Sequence, residues 1–322
     1  MRAIQVTRFG GPEVLVPVVL PGPVAGPGEV VVGVEAADVI LFESRIREGL
    51  AQDFVPLRPP YVPGGAVAGR VLSVGEGVDP DWIGRLVATH VASGGYAEQA
   101  LAPAAALVAV PDGLGVREAA ALLHDGTTAL GLADAARTKP GEWVLVTGAG
   151  GGLGILMVQL ALAAGERVVA AARGKHKLDL LTELGADAVV DYSLPGWEER
   201  VREATGGGGP DMVYDGVGGE IGRAAFEMTA RGGQFSAHGA AAGGFAPVDP
   251  EEARRREVTV RGIEQAQFAP DVAHRLLRSV LAEAAAGRLR PVIGQTFPLE
   301  RAADAHRAME AREVVGKTLL LP

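Results

Sequence analysis

The chain has 322 residues, 46 of them glycine and none cysteine, and a formal net charge of −9. Zero cysteines exclude disulfides, iron–sulfur clusters, a thiol nucleophile and any zinc site with a Cys ligand. The acidic balance leaves no electrostatic footprint for nucleic acid, and the length suggests two domains at roughly 150 residues each.

The N-terminal stretch Met1-Arg2-Ala3-Ile4-Gln5-Val6 lacks the charged and apolar regions of a signal peptide. Residues 1–115 then alternate short apolar runs (Glu29–Val34, Ala66–Val74, Arg85–Val91, Ala105–Val110) with glycine and proline turns such as Pro63-Gly64-Gly65 and Gly75-Glu76-Gly77. That texture predicts a β-rich domain. From about residue 140 the pattern becomes strand then helix, repeated. Strands are predicted at Trp143–Thr147, Arg167–Ala172, Ala188–Tyr192, Met212–Val217, Gly233–His238 and Val258–Ile263, with helices at Leu153–Ala164 and Lys175–Leu184. Six strands separated by helices predict a doubly wound parallel sheet. The run Leu153–Ala164 is broken by Gln159 and falls short of the ~20 residues of a membrane span, so the expectation is a cytoplasmic chain with no membrane partner. Arg254-Arg255-Arg256, flanked by Glu251, Glu252 and Glu257, reads as a solvated helix face. Asp271 to Gly287 predicts one more helix, and Gly316–Leu321 a final strand.

The strongest local signal follows Trp143–Thr147: Gly148-Ala149-Gly150-Gly151-Gly152-Leu153-Gly154, leading straight into an apolar helix. Glycines there allow a tight turn and close approach to a pyrophosphate, and the helix N-terminus offers free N–H groups to it. A reader of a ribose 2′-hydroxyl needs a carboxylate about 20 residues on. Here the second strand ends in Arg173-Gly174-Lys175-His176-Lys177, with cations and no carboxylate. Guanidinium and ammonium suit a 2′-phosphate, so the cofactor expected is NADP(H). Gly316-Lys317-Thr318 mimics the end of a P-loop, but position 311 is Ala and a strand follows.

Several motifs together resemble the medium-chain dehydrogenase/reductase superfamily. They are Val34–Val39 with Arg47-Glu48-Gly49, Pro63–Val71 with Val74–Val78, Gly94–Glu98, Gly126–Ala129, Gly151–Gly154, Leu184–Asp187 and Asp215–Gly219. The branch they are most similar to is the zinc-free quinone oxidoreductases. The resemblance implies an α/β chain with a GroES-like β-rich catalytic domain at 1–122 and 266–322, and a Rossmann NADP(H)-binding domain at 123–265. It also implies a homodimer and a quinone or α,β-unsaturated carbonyl substrate. Carried over by position, Gly148, Gly150, Gly151, Gly152, Leu153 and Gly154 meet the pyrophosphate. Arg173, Lys177 and Tyr192 surround the 2′-phosphate. Thr128, Val217, Ser236 and His238 lie by the nicotinamide half, and Lys317 is a basic position near the cofactor.

Zinc-dependent members use three metal ligands whose positions fall at Ile40, Gly65 and His124, and a hydroxyl relay that falls at Phe42. Only one of the three can bind metal, so no metal is expected, and Ile40 and Phe42 become substrate-pocket residues. Without a Lewis acid a plain alcohol is a poor substrate; a conjugated acceptor spreads the incoming charge itself. His124 is the candidate proton donor, because imidazole is the side chain that exchanges protons near neutral pH, and Tyr61 is a second candidate. Adjacent residues on one helix do not face each other, so no His124–Asp125 pair is expected. An enoyl-thioester reductase and a non-catalytic NADPH-binding protein remain open as alternatives.

Overall fold

The computed structural model describes every residue from Met1 to Pro322. The chain divides into two units, Met1–Thr127 with Pro270–Pro322, and Thr128–Ala269. The first crossing, expected between 122 and 123, falls a few residues later but within the same helix, Val116–Ala135, and the second, expected between 265 and 266, falls between Ala269 and Pro270. No helix is long and apolar enough to cross a membrane.

In the first unit a seven-stranded sheet is organised by one long strand, Glu29–Val39. Ala66–Val74 runs antiparallel along it, while Gln99–Pro103 pairs with its first half and Lys317–Leu321 with its last residues. Irregularities in register at Val31/Val32 and Val34/Ala36 mark where this strand bends to serve all three neighbours. A Cβ on Gly69 would stand 1.9 Å from the Gly33 carbonyl oxygen, so only glycine permits that approach of the two chains. Val30, Val32, Val67, Val71, Val87 and Leu320 fill the core with β-branched and aliphatic side chains. The run Ala105–Val110 departs from expectation. A 3₁₀ turn takes Ala104–Ala106 and only Val108–Ala109 pair as strand, as a run of alanines with few β-branched residues supports strand poorly. The helix Pro270–Ala285 buries the stripe Leu276, Leu277, Val280 and Leu281.

The second unit holds a six-stranded parallel sheet in the order Ala188–Asp191, Arg167–Ala172, Trp143–Thr147, Met212–Asp215, Gln234–Ala237, Thr259–Arg261. The chain winds outward from Trp143–Thr147 and then returns past it, so the strand order reverses between Trp143–Thr147 and Met212–Asp215. In doubly wound sheets ligands bind outside the carboxyl ends of the strands at such a switch point. All six strands fall within the predicted spans, and the first helix, Gly152–Ala163, starts one residue early. Trp197 and Val201, four residues apart, bury one face of the helix Trp197–Ala204. Arg254 and Arg255 are exposed and pair with Glu251 and Glu252. Arg256 is different: it lies over the Phe226 ring and donates to the Phe226 and Thr229 carbonyls.

Candidate active site

In the second unit Gly148 adopts φ +66° as the chain leaves the first strand of the sheet, and the Gly151 N–H closes the turn on the Gly148 carbonyl at 3.0 Å. The helix that follows has no side-chain cap at Gly151 and no acidic residue in its first turn. The N–H groups of Gly152, Leu153 and Gly154 have no acceptor within the helix, which is the arrangement that binds a phosphate. A Cβ on Gly154 would meet the Gly148 carbonyl oxygen at 2.4 Å. One on Gly150 would meet the Lys177 methylenes at 2.7 Å, so the Lys177 stem lies directly against the loop.

Arg173 is exposed at the end of the second strand of this unit, and Gly174 (φ +91°) turns the chain into the helix Lys175–Glu183. That turn is held by Asp191, whose Oδ2 accepts from the Gly174 N–H at 3.0 Å. Tyr192 sits edge-on to Trp197, 6.4 Å between ring centroids. Val217 packs beside Gly148, and Thr128 is half-buried on its helix. Asp215 braces the switch point: its Oδ1 accepts from Thr147 Oγ1 at 2.7 Å and from the N–H groups of Val217 and Gly218 at 3.1 Å. These uncapped amides, glycine contacts and cations fit a dinucleotide with a phosphorylated ribose.

The first unit holds a buried charge cluster. His124 Nδ1 lies 2.8 Å from Asp38 Oδ2. Lys317 Nζ is 2.6 Å from Asp38 Oδ1 and 3.0 Å from Asp125 Oδ2, so one ammonium bridges two carboxylates. Burial alone would push Asp38 upward, but Lys317 and His124 pull it below the ordinary carboxylate value. Asp125 goes the other way, raised by burial and the Asp38 charge although Lys317 opposes them. Burial works against the Lys317 ammonium too, yet Asp125 and Asp38 raise it above the lysine norm.

His90 stands edge-on to His124 at 4.9 Å, and burial with the neighbouring imidazole lowers it to about 4. Glu43 is buried, accepts from the backbone at Gly64 and Gly65, and is raised chiefly by its burial. A Cβ on Gly65 would lie 3.6 Å from His124 Nε2 and 3.7 Å from Glu43 Oε1, so both groups converge on bare backbone there.

The expected site residues fall into place unevenly. Ile40 is the half-buried residue before the helix Leu41–Glu48 and Phe42 is exposed on its first turn. Tyr61 is buried with its hydroxyl unpartnered, and burial together with Glu43 pushes it up to about 12. Lys317, carried over as a cofactor-facing residue, is only 4% exposed and its charge is committed to the two aspartates. His124 and Asp125 have different partners, as helix geometry requires. Asp38 escaped the sequence reading, although a lone carboxylate in Ala36-Ala37-Asp38-Val39-Ile40 is the kind of buried charge that must be paired. His306 has a packing role: Arg47 Nη1 donates to its Nδ1 at 2.9 Å, which leaves Nε2–H to donate to Tyr96 Oη at 3.1 Å.

A β-rich unit with a buried polar cluster and a doubly wound unit with an open phosphate loop define the class of two-domain nicotinamide oxidoreductases. Residues 26–112 match the alcohol dehydrogenase GroES-like domain family, and residues 152–279 the zinc-binding dehydrogenase family. The chain is 32% identical over 327 residues to a quinone oxidoreductase of Rattus norvegicus, covering 100% of this chain and 98% of that protein. It is also 32% identical over 337 residues to a 2-haloacrylate reductase of a Burkholderia species, covering 100% and 99%. Among solved structures, the Escherichia coli quinone oxidoreductase complexed with NADPH aligns over 100% of both chains with a TM-score of 0.93 at 26% identity. A mycobacterial protein complexed with NADPH aligns over 100% of both at 0.90 and 34%. The chain belongs to the medium-chain dehydrogenase/reductase superfamily, among the quinone oxidoreductases. The residues do not fit the zinc of the second family's name: Ile40 and Gly65 bring no donor atom, and no group of three or more His, Cys, Asp or Glu is placed to hold a metal.

Proposed function

We propose that this chain is a zinc-independent, NADPH-dependent reductase of quinones and α,β-unsaturated carbonyl compounds. The observation that carries the reading is the Asp38–His124 pair, a proton-donating device at the one ligand position that retains a side-chain donor. NADPH supplies the hydride when bound. The amides of residues 152–154 hold its pyrophosphate and Arg173, Lys177 and Tyr192 its 2′-phosphate, while Thr128, Val217, Ser236 and His238 flank the nicotinamide half. Asp38 accepts from Nδ1–H of His124 and so leaves Nε2 to face Gly65 and the acceptor's oxygen. As hydride adds to a quinone or to the β-carbon of an enone, negative charge builds on that oxygen; a doubly protonated His124 gives it the Nε2 proton to complete the hydroquinone or enol, is left neutral with Nδ1–H still on Asp38, and takes its next proton from solvent. Ile40 and Phe42 give the acceptor an apolar wall. Tyr61 is set aside as the acid, since burial and Glu43 keep its proton on to about pH 12.

We also propose that the protein works in the cytoplasm as a homodimer joined along the edge strand Thr259–Arg261, where Val260 is exposed. Light scattering of wild type and Val260→Arg tests the dimer, which the substitution should dissociate. The activity is tested by following NADPH oxidation with a panel of quinones, enones, activated acrylates and enoyl-CoA thioesters. Turnover of quinones or enones is expected, with NADPH preferred over NADH and Arg173→Asp reversing that preference. His124→Ala and Asp38→Asn should each slow turnover by about 10²-fold, within the range of general acid catalysis, at unchanged NADPH affinity. No turnover with any acceptor despite tight NADPH binding would leave a binding protein, and a preference for the CoA thioesters would make it a thioester reductase.

A further inference from the structure

The second unit holds another imidazole that the Asp38–His124 pair does not involve. Ser236 Oγ lies 3.0 Å from His238 Nδ1, and Gln265 Nε2 lies 2.8 Å from Ser236 Oγ. The orientation of the Gln265 amide is fixed by its other contacts. Its Nε2 also reaches the carbonyl oxygens of Arg261 at 3.2 Å and Gly262 at 2.9 Å, and an amide oxygen turned toward two carbonyls would be repelled by both. Gln265 therefore donates to Ser236. Ser236 is 1% exposed, and the one acceptor available to its own hydroxyl hydrogen is His238 Nδ1. A proton on Nδ1 would strand that hydrogen in the interior, at the cost of an unmade hydrogen bond. The neutral ring accordingly carries its proton on Nε2, and burial keeps it neutral by lowering its pKa to about 4.

No side chain pairs with Nε2. A Cβ at Gly216 would come within 3.7 Å of it, so it stands over the backbone just past Asp215. The loop after Gln234–Ala237 is pinned to the loop after Met212–Asp215, since the N–H groups of His238 and Gly239 both donate to the Asp215 carbonyl. Both loops leave the carboxyl ends of neighbouring parallel strands, the ligand-binding end of a doubly wound sheet.

We propose that His238 Nε2–H is a dedicated hydrogen-bond donor to a ligand carbonyl oxygen, and that Ser236 and Gln265 are positioning residues that keep the proton on Nε2. The carbonyl belongs either to the carboxamide of the nicotinamide or to the acceptor under reduction; this inference rests on the reductase reading above. A neutral donor suits both, because it orients a carbonyl without adding a buried charge.

The test compares wild type with His238→Phe, which removes the donor, His238→Gln, which keeps an N–H at a similar reach, and Ser236→Ala. NADPH dissociation constants are measured without acceptor, and KM and kcat with a quinone or enone. One hydrogen bond lost corresponds to about a three- to tenfold weakening. A rise in NADPH dissociation constant with unchanged acceptor KM in His238→Phe identifies the carboxamide; the reverse identifies the acceptor. His238→Gln should recover most of the loss. Long-range ¹H–¹⁵N correlation of the ring nitrogens reads the tautomer directly and should show Nε2–H in wild type and a mixture in Ser236→Ala. A proton on Nδ1 in wild type overturns the inference, as does a His238→Phe protein that keeps both constants. Failure of wild type to bind NADPH would instead remove the reductase reading, and the two failures are distinct.

Discussion

Replacing Lys317 by methionine keeps most of the side-chain volume and deletes the charge that bridges Asp38 and Asp125. Its contacts of 2.6 and 3.0 Å each correspond to about 5–6 kcal/mol of Coulomb attraction at an effective dielectric of ~20, before the cost of taking the ions out of water. Lys317 is 4% exposed and Asp38 fully buried, so Asp38 does not regain water when the ammonium goes. Removing one partner of a buried ion pair costs about 3–5 kcal/mol. In a unit of roughly 180 residues that is a fall in Tm of about 6–20 °C. The sign with pH follows from the shifts. The raised pKa of Lys317 means that its contribution is present below the unfolded lysine value and is lost only as pH rises through the folded one. Asp125 is already raised, and without the ammonium its ionised form becomes more costly. Lys317→Met should therefore lose most at neutral pH and recover as Asp125 protonates on acidification. Denaturant unfolding of wild type, Lys317→Met and Lys317→Met/Asp125→Asn at two pH values measures this, and the double variant should be more stable than the single one at neutral pH. A single variant within about 1 kcal/mol of wild type, or an Asp125→Asn change that adds to the loss, would refute the reasoning.

In the phosphate loop, Gly154→Ala drives a Cβ into the Gly148 carbonyl at 2.4 Å and should weaken NADPH binding by more than about tenfold, whereas Gly150→Ala meets only the flexible Lys177 stem and should cost less; equal effects in titration would contradict the loop geometry. His90 and His238 (about 4) and His306 (about 3) are all held neutral first by burial, so their contribution is complete above the unfolded value near 6.5 and is lost as pH falls toward 4, at up to ~1.4 kcal/mol per pH unit for each. His306→Gln should flatten the pH dependence of unfolding free energy by about one proton, and an unchanged slope would show that the histidine is already protonated in the fold. Tyr61→Phe removes a buried hydroxyl with no partner and should leave the protein as stable or up to ~1 kcal/mol more stable, with turnover within about threefold of wild type; a tenfold fall in kcat would return Tyr61 to the mechanism.

What could be read beforehand and what could not separates along the range of the interactions. The phosphate loop is contiguous: strand, turn and helix follow one another between residues 143 and 163, so local pattern suffices to find them. The charge cluster is assembled by strand register. Leu319 stands opposite Asp38 in the antiparallel pairing, and Lys317, two residues back along its strand, shares that face. That register brings Lys317, which the family resemblance alone had placed near the cofactor, to Asp38. The ammonium arrives from a strand some 280 positions away to neutralise the carboxylate that holds His124. Asp38 is thus held between two partners, the Lys317 ammonium on Oδ1 and His124 on Oδ2, so its charge is balanced while it keeps its place against the imidazole.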